Sequence, residues 1–226
     1  KNNFIIKRLR KSSPDSNTFL RLNRAEFGEN FGTKIDIDKF YPDISSLIVK
    51  IKKTLKISKK IQMVLGLGAE GLIKEIFVWQ YLKKKKQNVL IYEPNYYMYE
   101  HYAKLFNFNL FKFNLSLNSK PELTAKEIIS SLKKNNINIY CMINPSGPIE
   151  KFLNKDQAIE VLNFCKKNKI FVIIDEVYKS FFNKDFFEFV NSYDVVIIRS
   201  FSKSVGFPGL RIGYLLCNNK IFKEID

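Results

Sequence analysis

Short apolar runs recur along the chain, each followed by a polar or proline-marked turn. They are Gln62–Leu65, Asn88–Tyr92, Phe108–Phe113, Asn138–Ile143, Ile170–Ile174, Val195–Ile198 and Ile212–Cys217. Several are too evenly apolar to be half-exposed strands, so they read as strands buried on both faces. Between them the period changes. Leu47, Ile48, Ile51 and Leu55 share one helical face, and so do Leu72, Ile73, Ile76, Phe77 and Tyr81. Further helices are expected over Leu123–Lys134, Asp156–Lys167 and Lys220–Asp226. Tyr41-Pro42-Asp43 opens the first, with proline near a first turn. Strands alternating with helices predict an α/β fold with a mostly parallel sheet. Residues 1–40 have little core of their own and read as an arm.

Open α/β sheets bind ligands at the carboxyl ends of their strands, and the polar residues gather there. Val195–Ile198 leads into Arg199-Ser200-Phe201-Ser202-Lys203, then Gly206, Pro208 and Gly209 force a loop before Arg211. Hydroxyls and a guanidinium suit an anion, beside a lysine that can act as a nucleophile. Gly66, Gly68 and Gly71 stand where a strand meets a helix, a place where backbone amides can approach an anion. Asp175 ends an uninterrupted apolar run, so its carboxylate needs a partner.

The net charge of +16 is mostly lysine spread along the chain. It lacks the basic–aromatic interleaving of a nucleic-acid module and fits a lysine-rich codon bias, so no nucleic-acid partner is expected. The densest run, Lys83–Lys86, ends a helix, where cations suit the macrodipole. No apolar run reaches membrane-spanning length. Cys141, Cys165 and Cys217 are scattered in apolar surroundings, as reduced thiols of a cytoplasmic protein would be. With His101 the only histidine, no metal site is expected.

The stretch Ser200-Phe201-Ser202-Lys203 followed by Gly206, Gly209-Leu210-Arg211 and Gly213-Tyr214 resembles the lysine motif of the class I/II, fold-type I, aminotransferases that use pyridoxal 5'-phosphate (PLP). The branch most similar is histidinol-phosphate aminotransferase. The resemblance implies a three-layer α/β/α large domain over 41–217 with a seven-stranded, mostly parallel sheet. It implies that 218–226 begins the connection to a C-terminal small domain absent from this chain. Lys203 would form the Schiff base, while Ser200, Ser202, Arg211 and the turn Gly68-Ala69-Glu70 would hold the phosphate. In Glu93-Pro94-Asn95-Tyr96, Tyr96 would stack on the ring. In Asp175-Glu176-Val177-Tyr178, Asp175 would pair with the ring nitrogen and Tyr178 with the 3'-oxygen. Catalysis would rest on Lys203, Asp175 and Tyr178. Tyr41 would reach the phosphate of a partner subunit, making the protein a homodimer.

Two departures stand out. Ala25 falls where the family's arm has an asparagine. Asn144-Pro145-Ser146-Gly147-Pro148-Ile149-Glu150 differs from the family's asparagine-rich turn. A gapless register puts Gly147 at the position facing the 3'-oxygen; the other register puts Asn144 there. The activity implied is amino transfer between an amino acid or phosphorylated amine and a keto or aldehyde acceptor. The alternatives are a PLP-dependent decarboxylase of a phosphorylated amino acid and a non-catalytic domain of the same fold.

Overall fold

The computed structural model describes residues 43–115, 123–146, 151–179, 186–203 and 206–225. The arm, Tyr41, Gly147 and the rest of the turn through Glu150 lie outside them. The chain divides into two units, Lys1–Ile57 together with Asp226, and Ser58–Ile225.

In the first unit the described part holds helix α1 (Ser45–Thr54). It starts later than the Tyr41-Pro42-Asp43 signal suggests. Asp43 stands before it instead, and its Oδ1 accepts the Ser45 N–H at 2.9 Å. Lys52 and Lys53 occupy the last turn, where positive charge faces free carbonyls.

The second unit runs β1 (Gln62–Leu67), α2 (Gly68–Lys83), β2 (Asn88–Glu93), α3 (Met98–Leu105), β3 (Asn109–Asn114), α4 (Ala125–Lys134), β4 (Ile139–Ile143), α5 (Lys155–Lys167), β5 (Phe171–Asp175), β6 (Val195–Ser200), β7 (Ile212–Cys217) and α6 (Asn219–Ile225). Short 3-10 turns lie at Phe187–Asn191 and Pro208–Leu210. The strands form one seven-stranded sheet in the order β1-β7-β6-β5-β4-β2-β3. Only β7 runs antiparallel to its neighbours, β1 and β6. β6 and β7 are consecutive strands paired antiparallel, whereas the parallel pairs β2–β3 and β4–β5 are each joined through a helix.

The middle strands explain the unbroken apolar runs: every residue of β4 and β6 is buried. Neighbouring residues point to opposite faces and meet different helices. Tyr140 interacts with Cys165 of α5, whereas Cys141 interacts with Tyr99 of α3. The sheet is therefore covered on both sides, as the three-layer expectation requires. β3 is one edge, exposed or half-buried along its length, and Lys112 there pairs with Glu93 at 2.9 Å and Glu100 at 2.8 Å.

Local signals start the helices. Thr124 and Glu127 form a capping box at α4. Asn154 caps α5 by accepting the Gln157 N–H at 2.9 Å, and the Gln157 Oε1 accepts the Ala125 N–H at 2.6 Å. One cap thus helps hold the two helices together. The β1–α2 junction is tighter than the glycine pattern suggests. Gly66 belongs to the strand and α2 begins directly at Gly68. A Cβ on Gly66 would meet the Leu72 side chain at 2.6 Å, so a larger residue there would require Leu72 to shift.

Candidate active site

The parallel strands β2, β4, β5 and β6 all end on one edge of the sheet, at Glu93, Ile143, Asp175 and Ser200. Because β7 runs the other way, it begins on that edge. Arg211, which precedes it, returns to the place where β6 ends. The register makes the neighbourhood explicit: Ser200 lies opposite Gly213, and Gly213 opposite Gly66.

This brings Arg211 against the start of α2. A Cβ built on Gly68 would lie 3.1 Å from Arg211 Nη2 and 3.4 Å from its Cζ. Gly68 has φ +69°, a conformation that side chains disfavour. Arg211 itself is left-handed, at φ 49° and ψ 38°. The first turn of α2 has free N–H groups and the positive end of the helix dipole. A guanidinium beside it makes a seat for an anion. Ser200 is buried at the same edge, and its Oγ accepts the Ser202 N–H at 3.1 Å. Ser202 is half-buried and Lys203 exposed in the turn that follows.

Asp175 is buried, and its carboxylate has two donors. The Val177 N–H reaches Oδ1 at 3.0 Å, and the Tyr99 Oη donates to Oδ2 at 2.8 Å. Burial raises its pKa above the ordinary carboxylate value, while these two hydrogen bonds pull the other way. Glu176, next in the chain, serves a different end. Its carboxylate accepts from Arg199 Nε at 2.8 Å and from the Phe186 N–H at 2.8 Å, all within the interior. Consecutive acids thus divide between the site and the core.

Tyr96 is 38% exposed, as a ring offering a face would be, and its hydroxyl donates to Glu70 Oε2 at 3.3 Å. Burial of its hydroxyl, then the nearby Glu70 charge, push its pKa up to about 12, so the phenol stays protonated. Ala69 and Glu70 lie half-buried in the first turn of α2, and Tyr178 half-buried in the turn after β5. Asn144 has another occupation. Its Oδ1 accepts the Leu153 N–H at 2.7 Å, and its Nδ2 donates to the Leu153 carbonyl at 3.3 Å. Its backbone N–H donates to the Asp175 carbonyl at 2.9 Å. Asn144 therefore ties the turn after β4 to β5 and to the approach to α5.

Sequence reasoning missed Tyr99 and the Glu176–Arg199 pair. Tyr99 lies three residues beyond Tyr96, the spacing that puts successive side chains on one face at a helix start. The signal for the pair was an arginine inside an otherwise apolar strand.

The family model for aminotransferase class I and II matches residues 10–226. The chain belongs to this family. Among curated aminotransferases, histidinol-phosphate aminotransferase of Clostridium kluyveri is 26% identical over 92% of this chain and 58% of its own length. That of Buchnera aphidicola is 28% identical over 91% of this chain and 57% of its own. The chain spans about half the length of the curated relatives it matches. The crystal structure of histidinol-phosphate aminotransferase from Clostridium acetobutylicum superposes with a TM-score of 0.70 at 30% identity, over 82% of this chain and 54% of that one. L-threonine-O-3-phosphate decarboxylase from Porphyromonas gingivalis, at 20% identity and a TM-score of 0.66, shares the fold. Among the described residues, no helix is long and apolar enough to cross a membrane and no group of His, Cys, Asp or Glu could hold a metal ion.

Proposed function

We propose that this chain is the cofactor-binding part of a PLP-dependent aminotransferase. The observation that carries the reading is the approach of Arg211 to Gly68 at the start of α2, on the sheet edge that also holds buried Asp175. The residues present fit the cofactor. Arg211, the Gly68-Ala69-Glu70 turn, Ser200 and Ser202 suit its phosphate. Asp175 suits its ring nitrogen, Tyr96 its ring face, and Tyr178 its 3'-oxygen. When bound, pyridoxal phosphate supplies an electron-accepting ring that stabilises negative charge on a substrate carbon.

The roles of the chain's own groups follow. Lys203 Nζ would hold the cofactor until the substrate amine displaces it, and the freed amine could then take a proton from the substrate α-carbon. Asp175 would pair with the ring nitrogen, and its two donors favour its charged form against the burial that raises its pKa. Arg211 and the first turn of α2 would hold the phosphate. The Asn144 side chain already serves Leu153 through Oδ1 and one hydrogen of Nδ2, which favours the register with Gly147 at the 3'-oxygen.

The protein is read as a cytoplasmic homodimer. Its three cysteines are free and buried, as a reducing compartment allows. Tyr41 of one subunit would serve the phosphate of the other. The substrates are a small amine donor and a keto or aldehyde acceptor. The relatives are named for histidinol phosphate, so that phosphorylated amine is the first donor to assay.

The test is the visible spectrum of the chain with PLP, before and after borohydride, with peptide mapping of the product. The expected result is an absorbance band that borohydride removes and a pyridoxyl group on Lys203. A PLP-saturated, folded chain with no adduct at Lys203 would overturn the reading.

A further inference from the structure

The turn before α3 and the first turn of that helix touch the site at two separated points. Tyr96 donates to Glu70 in the first turn of α2, and Tyr99 donates to Asp175 at the end of β5. The Tyr99 N–H bonds the Tyr96 carbonyl at 3.2 Å, so the two rings are held by one backbone turn. Tyr99 is 0% exposed and packs against Phe77 of α2 with centroids 6.4 Å apart. Its ring cannot follow Asp175 if the carboxylate rotates.

We propose that Tyr99 is a positioning residue: its buried phenol holds the Asp175 carboxylate in one rotamer and stabilises its charge, so that the remaining acceptor capacity faces the ring nitrogen of the cofactor. The geometry explains why a carboxylate can sit here at all. Burial disfavours a charged acid, and a donor on each oxygen opposes that penalty. Val177 supplies one donor from the backbone and Tyr99 the other. The titratable groups acting around the pair are Cys141 of β4, whose thiol burial pushes up, and Tyr96. Burial and the Asp175 charge hold the Tyr99 phenol well above its ordinary value, so it remains a donor.

The cofactor-facing half of this proposal rests on the PLP reading; the Tyr99–Asp175 coupling does not. The first measurement therefore uses the ligand-free chain. Carboxyl carbon-13 NMR of labelled aspartate follows Asp175, assigned by its loss in Asp175→Asn. Tyr99→Phe should raise the Asp175 titration by about one pH unit or more, and Tyr102→Phe on the same helix should not. PLP should then bind Tyr99→Phe about tenfold more weakly than wild type. An Asp175 titration unchanged in Tyr99→Phe overturns the positioning role, whatever PLP does. A shifted titration with unchanged PLP affinity overturns the cofactor-facing half alone. If Tyr99→Phe does not fold, 3-fluorotyrosine replaces tyrosine throughout. The Tyr99 fluorine signal must then track the Asp175 titration and lose that dependence in Asp175→Asn; a signal blind to it overturns the proposal.

Discussion

A Cβ on Gly213 would come within 2.5 Å of the Gly68 carbonyl carbon and 2.8 Å of the Ala69 nitrogen. The antiparallel strand β7 and the start of helix α2 meet there with no side chain between them. The contact is backbone against backbone, so neither partner has a rotamer with which to yield. Gly213→Ala should therefore destabilise the chain by about 1–3 kcal/mol. At this chain length that lowers the melting temperature by roughly 2–10 °C. PLP affinity should fall as well, because the first turn of α2 must move. A melt and a PLP titration both matching wild type would refute the tight-contact argument.

Arg211 combines a needed charge with an uncomfortable backbone. Its left-handed conformation costs a non-glycine residue about 1–2 kcal/mol. Arg211→Gly removes both. We expect stability equal to or above wild type, by up to about 1 kcal/mol, with PLP binding weakened by about tenfold or more. Denaturant unfolding and PLP titration on the same preparation separate the two effects. Arg211→Lys keeps a charge but loses the planar fork, and its affinity should fall between the two.

Asp175 makes the fold pH-sensitive in an unusual direction for an acid. Its pKa is raised in the folded chain, so between the ordinary aspartate value and the raised one the folded state binds more protons than the unfolded. Stability contributed at this site is therefore highest below that window and declines as pH rises through it. Asp175→Asn should remove the decline: the variant's melting temperature relative to wild type should grow from pH 4 toward neutrality. Glu100 has the opposite sign. Lys104 and Lys112 hold its carboxyl at about 2, so its contribution is present above the ordinary glutamate range and fades as pH falls toward that value. Glu100→Gln should flatten the acid side of the same curve. Melts of both variants across pH 3–7 check the two signs.

The Glu176–Arg199 pair lies inside the protein, with the Glu176 side chain 1% exposed and that of Arg199 7%. Arg199→Met alone leaves a buried carboxylate and should cost about 3–5 kcal/mol. Removing both charges, as in Glu176→Gln with Arg199→Met, should recover most of that loss. A double-mutant cycle measured by denaturant unfolding gives the coupling. Additive losses would show that the pair is not the feature holding β5 to β6.

The buried strands were legible because hydrophobic burial on both faces leaves an uninterrupted apolar run, as in Ile139–Ile143 and Val195–Ile198. The polar residues at their ends were legible for the same reason: Asp175 and Ser200 interrupt a pattern that has no local use for them. What escaped was pairing across the sheet. The reversal of β7 is not visible within the strand: among the described residues neither β5 to β6 nor β6 to β7 is linked by an α-helix, yet only the second pair is antiparallel. Gly66 reads as a turn residue, yet it is a strand residue under Leu72, because glycine serves close approach as readily as bending. Asn144 reads as a ligand from its place after a strand, while its bonds to Leu153 depend on a turn that returns nine residues later. Tyr99 was one tyrosine among several, and only the packing of α3 selects it.

The position of β7 also orders events in time. β3 through β6 each pair with a strand made before them: β3 and β4 with β2, β5 with β4, and β6 with β5. β1, made earlier, has only β7 for a partner, with Gln62 opposite Cys217 and Leu67 opposite Ile212. During synthesis it is an orphan edge that must wait for the last strand of the sheet. The anion seat joins Gly68 from the early side of that wait to Arg211 from the late side. A nascent chain stalled before Arg211 would hold most of its sheet and lack the guanidinium proposed to hold the phosphate.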